Sequence, residues 1–114
     1  MKHFGMALDL KSDAKKIEEY RQYHKAPWPE PLKGLCNVGV KDMKIFLLGT
    51  HLFMYMVTTD TFDINRDFPL YIEQYPEAAE WDELMRTFQQ RVPEAEPQEW
   101  WASMELVFDL HLHV

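Results

Sequence analysis

"MKIFLLGTHLFMYMVTT", residues 43–59, is two runs of large apolar side chains separated only by Gly49 and Thr50. Each run has strand length, and a glycine at the break supplies the φ freedom of a two-residue turn, so the stretch is expected to be a β-hairpin. The second run, "HLFMYMVTT", is bulky on both faces, which predicts a central strand covered on both sides. Everything on either side must be arranged to bury this hairpin.

Upstream, His3 to Leu10 alternates, with Phe4, Met6, Leu8 and Leu10 on one face and His3, Gly5, Ala7 and Asp9 on the other, the pattern of a first strand. Ser12 and Asp13 then offer N-caps for a helix running to about Lys25, with Ile17, Tyr20 and His24 on one stripe. Pro27, Pro29 and Pro31 close that helix, because a residue preceding proline is pushed out of the helical region. A short helical piece from about Glu30 carries Leu32 and Leu35 to the "NVG" turn. Downstream, the spacing is helical from Phe68 to Gln90, with Trp81, Leu84, Met85 and Phe88 in step and Pro76 dividing the segment. "RVPEAEPQE" is a loop. "ASMELVFDLHL" is expected to be the last strand, with Met104, Leu106, Phe108 and Leu110 on one face.

The resulting order is strand, helix, strand, strand, helix, strand. This is the α+β, ferredoxin-like split βαβ arrangement, a four-stranded antiparallel sheet with helices on one face. Its other face is left open, and a second copy of the chain is the simplest cover, the two sheets closing into a dimeric α+β barrel. Any site is then expected between sheet and helices or at the mouth between the sheets.

At 114 residues the chain is expected to be one domain, 1–114, and 46% hydrophobic with 14% aromatic content argues for a packed globule. A formal net charge of −7, with only 12 Lys and Arg, argues against nucleic acid as a partner. No stretch of about 18 apolar residues suits a bilayer, and no secretory pattern stands at the N-terminus. Cys36 is the single cysteine, which excludes an internal disulfide and a thiolate zinc cluster. A cytoplasmic location is expected on these grounds.

Tyr20 and His24 stand one helical turn apart and address the same small volume. A histidine there can move a proton near neutral pH, or the two can simply be packing residues. "PWP" fixes Trp28 either as a pocket wall or as a plug at the helix end. Trp81, Trp100 and Trp101 complete a set of four tryptophans; aromatic rings near carboxylates suit the C–H faces and hydroxyls of a sugar, and they equally suit a core. The tail "HLH" sets His111 and His113 at a metal-site spacing, with His3, His24 and His51 available, but a terminal position argues against a metal. There is no glycine-rich phosphate loop and no nucleophile elbow.

Over nearly its whole length the chain resembles the L-rhamnose mutarotase family. The resemblance rests on "EEYRQYHKAPWPE" (18–30) after a strand ending "LDLKSDA", on "IFLLGTHLFMYM", on "EWDELM" and on "MELVFDL". It implies the dimeric ferredoxin-like fold and interconversion of the α and β anomers of a 6-deoxy monosaccharide, with no cofactor and no metal. It also implies that Tyr20 matches a sugar-binding tyrosine, His24 the catalytic histidine, and Trp81 the first of a pair of binding tryptophans. The second of that pair falls on Asp82, and a further binding tyrosine falls on Met43. Both are departures that bear on which sugar is bound, and Trp100 or Trp101 is available to replace the missing aromatic. "GVKDMKIFLLG" and "EWWASMELVF" look closer to the L-fucose mutarotase branch. In the implied chemistry His24 supplies a proton to the ring oxygen and recovers it on closure, while Tyr20 orients the sugar or transfers the second proton. Two other readings fit the same fold: a cofactor-free or haem-degrading monooxygenase, and a sugar-binding module without catalysis.

Overall fold

The computed structural model covers residues Met1–Val114. Strand β1 (Lys2–Leu10) leads to helix α1 (Ala14–Lys25), helix α2 (Pro29–Val38) and the hairpin of β2 (Val40–Leu48) and β3 (His51–Thr58). Helices α3 (Ile64–Gln74) and α4 (Pro76–Arg86) follow, then two short strands, β4 (Gln89–Gln90) and β5 (Ala102–Ser103). The sheet is antiparallel in the order β2-β3-β1, with β4 and β5 both on the outer edge of β1. This is the ferredoxin-like order, with its fourth place shared by two fragments.

The β1–β3 ladder runs without interruption from Lys2 opposite Thr58 to Asp9 opposite His51. Because strand side chains alternate, that register sets Met6, Leu8, Leu52, Met54 and Met56 on one face, where all are buried under the helices. β3 is central, as its composition predicts. Its second face is open within the single chain, however: Phe53 is 39% exposed and stacks on Phe46, itself 57% exposed.

Local chemistry explains most helix ends. The Asp13 carboxylate accepts from the backbone N–H groups of Lys15 and Lys16 and starts α1. Pro29 opens α2 at a position where its missing N–H costs nothing, and Gly39, at φ 114°, ends that helix in a left-handed conformation. Pro76 divides the later helical region and opens α4. Helix α3 starts four residues before the expected Phe68, because the Asp63 side chain caps Asn65 N–H and a cap leaves no hydrophobic period to read. Helix α4 stops at Arg86, short of Gln90, where the Thr87 hydroxyl donates to the Leu84 carbonyl and closes the last turn.

The final strand differs most from expectation. Only Ala102–Ser103 pair with β1, followed by one bond from Met104 N–H to the Gly5 carbonyl. Leu106, Val107 and Phe108 are exposed, and Leu110–His113 form a 3-10 turn. The alternation in this segment is real, but alternation specifies which side chains share a face and does not supply a ladder; within one chain the segment leaves the edge of β1 after Met104. Residues 91–101, between β4 and β5, make an excursion tied down by the Arg91 guanidinium, which donates to the carbonyls of Glu96 and Glu99.

The core is divided. One cluster gathers Leu8, Leu10, Tyr20, Leu52, Met85 and Phe88, and a second gathers Met6, Val40, Met54, Met56 and Phe62. The helices contact one another at Gly34, where an added Cβ would lie 2.7 Å from the Tyr71 ring. That ring cannot retreat freely, since its hydroxyl donates to the buried Pro31 carbonyl. Helix propensity alone favours alanine over glycine by about 1 kcal/mol. Gly34→Ala is nevertheless expected to destabilise the protein by roughly 1–3 kcal/mol through overpacking, which urea denaturation measures.

Candidate functional site

A cavity of about 1210 Å³ opens between the sheet and the helices, lined by members of both core clusters. It exceeds the roughly 300–1,000 Å³ of a small-molecule pocket because it continues into an open mouth. Its sheet side is apolar, formed by Met6, Met43, Ile45, Met54 and Met56. Its helix side is aromatic and polar. The break that the prolines impose between α1 and α2 holds Trp28 at the start of α2, where it stands beside Trp81 of α4.

All eight residues singled out from the sequence, Tyr20, His24, Trp28, Met43, Trp81, Asp82, Trp100 and Trp101, line this one cavity. The Tyr20 and His24 rings lie 4.3 Å apart, His24 meets the edge of Trp81 at 5.6 Å, and Trp81 meets Trp28 at 5.2 Å. The result is a continuous aromatic wall with an imidazole set into it. Asp82, in the place where the family resemblance implies a tryptophan, instead accepts from Arg86 Nε at 2.9 Å. The Arg86 guanidinium in turn lies over the Trp100 ring at 4.5 Å, a cation–π contact.

The imidazole is held in one tautomer. His24 Nδ1 lies 2.9 Å from the Tyr20 carbonyl oxygen, which can only accept, so Nδ1 carries the proton and Nε2 keeps its lone pair. Burial among aromatic rings pushes the His24 pKa below its ordinary value, against a smaller opposite effect of the carbonyl. Tyr20 is buried, and its hydroxyl is pushed up to about 12 by that burial despite the hydrogen bond from Gln89. At neutral pH the pair is therefore a neutral base beside a protonated phenol.

Sequence reading missed two cavity residues. Gln89 donates through Nε2 to the Tyr20 hydroxyl at 3.2 Å and accepts through Oε1 from Trp100 Nε1 at 2.8 Å. It stands 69 residues from Tyr20 in a polar "QQ" with no motif around it, so only the β1–β4 pairing of Gln89 with Leu10 brings it in. Arg86 carried a faint signal, its i,i+4 spacing from Asp82. The remaining histidines are dispersed. His3 shares a hydrogen bond with Tyr55 and His51 with Asp9 on the open sheet face, while His111 and His113 lie on the terminal 3-10 turn. No three His, Cys, Asp or Glu side chains gather into a metal cage, and no helix is long and apolar enough to cross a membrane.

The α+β fold thus sets a histidine–tyrosine pair into an aromatic cavity under the helices, a space suited to a small polar organic molecule. The chain belongs to the L-rhamnose mutarotase family, whose sequence model matches residues 3–110. It is thereby one of the sugar isomerases. It is 53% identical to a UPF0734 protein of Dictyostelium discoideum over 112 residues, covering 96% of this chain and 90% of that one. It is 30% identical to the L-fucose mutarotase of Xanthomonas campestris pv. campestris over 116 residues, covering 96% and 89% of the two chains. Among solved structures, the L-rhamnose mutarotase of Formosa agariphila superposes with a TM-score of 0.68 at 21% identity, covering 96% of this chain and 98% of that one, which establishes the common fold.

The histidine environment has a measurable consequence. Because the folded-state pKa of His24 is depressed, the unfolded chain binds more protons here, so this group's contribution to stability falls as pH drops below about 6.5 toward the folded pKa. In NMR titration the His24 resonance is expected to have its midpoint below about 6.5, and a midpoint above that value would contradict the burial argument.

Proposed function

We propose that this protein interconverts the α and β anomers of a 6-deoxy sugar, with His24 and Tyr20 as the proton-transfer pair. The observation that carries the reading is the His24 tautomer: Nδ1–H is committed to the helix carbonyl, so an unprotonated Nε2 is left beside a buried phenol in an aromatic cavity. His24 Nε2 takes the proton of the anomeric hydroxyl, C1=O1 forms as the C1–O5 bond breaks, and O5 receives the Tyr20 proton. After rotation about C1–C2 the steps reverse and both protons return. The depressed histidine pKa supports the base role for His24, in place of the acid role toward the ring oxygen that the family resemblance implies. Burial holds the Tyr20 phenol up at about 12, so it stays protonated at neutral pH and has a proton to give to O5.

A 6-deoxy sugar suits the lining, because the methionine-rich sheet side takes a methyl group while the Asp82–Arg86 pair offers charged partners to ring hydroxyls. We favour L-fucose over L-rhamnose. The two differ at C2 and C4, and a charged pair replaces an aromatic wall at Asp82, a change that exchanges stacking for hydrogen bonding. One of the relatives matched over 96% of this chain, at 30% identity, is an L-fucose mutarotase by name. The monooxygenase alternative draws support only from the fold, which hosts several activities.

Exchange spectroscopy by NMR, run on each sugar with catalytic protein, is expected to reveal accelerated anomer exchange, larger for L-fucose. His24→Ala is expected to lose about a hundredfold or more of that rate while keeping its circular dichroism. Binding of both sugars with no acceleration would instead leave a binding module.

We also infer that a second copy of the chain covers the open sheet face. Phe46 stacks on Phe53 there, Phe53 lies against Gly5, and Leu48 is 80% exposed at the end of the hairpin, a patch suited to self-complementary contact about a two-fold axis. Sedimentation is expected to give twice the 13.7 kDa chain mass, and Phe46→Lys to shift the distribution to the single chain.

A further inference from the structure

The cavity contains one fully buried polar side chain that the proposed chemistry does not use. Gln89 is 5% exposed, and both of its amide heavy atoms are engaged: Trp100 Nε1 donates to Oε1 at 2.8 Å, and Nε2 donates to the Tyr20 hydroxyl at 3.2 Å. Burying an amide is unfavourable unless it is satisfied, and no buried side-chain polar atom in the protein lacks a partner. The arrangement is also directional. An indole nitrogen can only donate, so the amide oxygen must face Trp100, and the opposite amide orientation would set N–H against N–H. The NH₂ group must then face Tyr20, and the phenolic oxygen must accept. Tyr20 has one proton, and Gln89 is its hydroxyl's only hydrogen-bond partner in the protein. That proton is left for whatever occupies the cavity.

We propose that Gln89 is a positioning residue that, anchored by Trp100, holds the Tyr20 hydroxyl as an obligate hydrogen-bond donor toward the sugar oxygen. The inference rests on the mutarotase reading for its catalytic consequence, and on geometry alone for the direction of the hydrogen bonds. The anchor is itself braced: Arg86, fixed by Asp82, lies over the Trp100 ring and restricts its rotation. The chain Asp82, Arg86, Trp100, Gln89, Tyr20 therefore runs from the charged rim of the cavity to its proton donor, each link formed by groups from α4, the excursion before β5, β4 and α1. No step in it requires Gln89 to touch the sugar.

Gln89→Glu is the informative change, because it preserves shape and reverses polarity. A carboxylate accepts from both Trp100 and Tyr20, drawing the phenolic proton away from the cavity. With L-fucose as substrate, the expected result is a fall in kcat of roughly 10- to 100-fold, the value of one oriented hydrogen bond in the transition state, with KM within about twofold. Trp100→Phe, which keeps an aromatic ring and removes the N–H donor, is expected to produce a smaller loss of the same kind and serves if the glutamate variant does not fold. The decisive comparison repeats Gln89→Glu in a Tyr20→Phe background. A positioning role predicts no further loss there, and an equal loss in both backgrounds would mean that Gln89 acts through packing, overturning the proposal.

A second measurement separates this inference from the mutarotase reading. With ¹³Cζ-labelled tyrosine at neutral pH, the Tyr20 Cζ resonance is expected to move toward the phenolate position in Gln89→Glu, where the hydroxyl becomes a donor to the carboxylate, and to move much less in Gln89→Leu, which only removes the N–H. An unmoved resonance in Gln89→Glu would overturn the hydrogen-bond direction whether or not any sugar is turned over. The expected movement in a protein that accelerates no anomer exchange would keep the direction and reject the mutarotase reading.

Discussion

The ladder between β1 and β3 is the constraint from which the rest of the molecule follows. It joins residues about fifty positions apart in eight successive rungs, without a bulge, and its register decides which methionines and leucines meet the helices. A slip of β1 by one residue against β3 would send Met6 and Leu8 to the open face and bring Gly5 and Ala7 beneath the helices. A glycine and an alanine cannot fill the inner space that a methionine and a leucine fill. The register is thus enforced by volume as well as by polarity. It also opposes Leu10 to Gln89 on the far edge, so the same strand that organises the core delivers the amide that reaches Tyr20.

The cavity exists because the core does not close over the middle of the sheet. Phe88, Met85 and Tyr20 pack one end, Phe62 and Val40 pack the other, and Trp101 touches both clusters without joining them. Residues whose side chains are long but unbranched, chiefly methionine, line the gap. They adapt their shape at small energetic cost, which suits a surface that meets an apolar ligand edge. The polar groups in the same space are arranged one way, with N–H bonds handed from Trp100 through Gln89 to Tyr20 and from His24 to the Tyr20 backbone. Tyr20 is thus gripped at both its hydroxyl and its carbonyl.

Much of this was legible in the sequence. The alternation in His3–Leu10, the two apolar runs around Gly49 and the helical spacing of Trp81, Leu84, Met85 and Phe88 are local signals, and they specify the element order and hence the fold. The Tyr20–His24 spacing identified two cavity residues for the same reason, since an i,i+4 relation survives any tertiary arrangement of its helix. What was not legible is what depends on pairing between distant segments. "ASMELVFDLHL" has the alternation of a strand, but the edge it needs is offered by β1 for only a few residues. Gln89 acquires its meaning from Tyr20 and Trp100, neither of which its own neighbours announce. The proton on the His24 ring likewise depends on a backbone carbonyl, which carries no side-chain signature at all.

The distribution of tryptophan carries a spectroscopic consequence. The chain has four, Trp28, Trp81, Trp100 and Trp101, and every one lines the cavity, while the buried core clusters are built from Leu, Val, Met, Phe and Tyr. Its intrinsic emission is therefore not a measure of the fold in general. It is a readout of the cavity, in which an overlying guanidinium, a neighbouring imidazole and displaced solvent all act on the same few indoles. A signal that in most proteins averages over the interior is confined here to the place where a ligand would sit, so occupancy and global unfolding are observed through one set of chromophores.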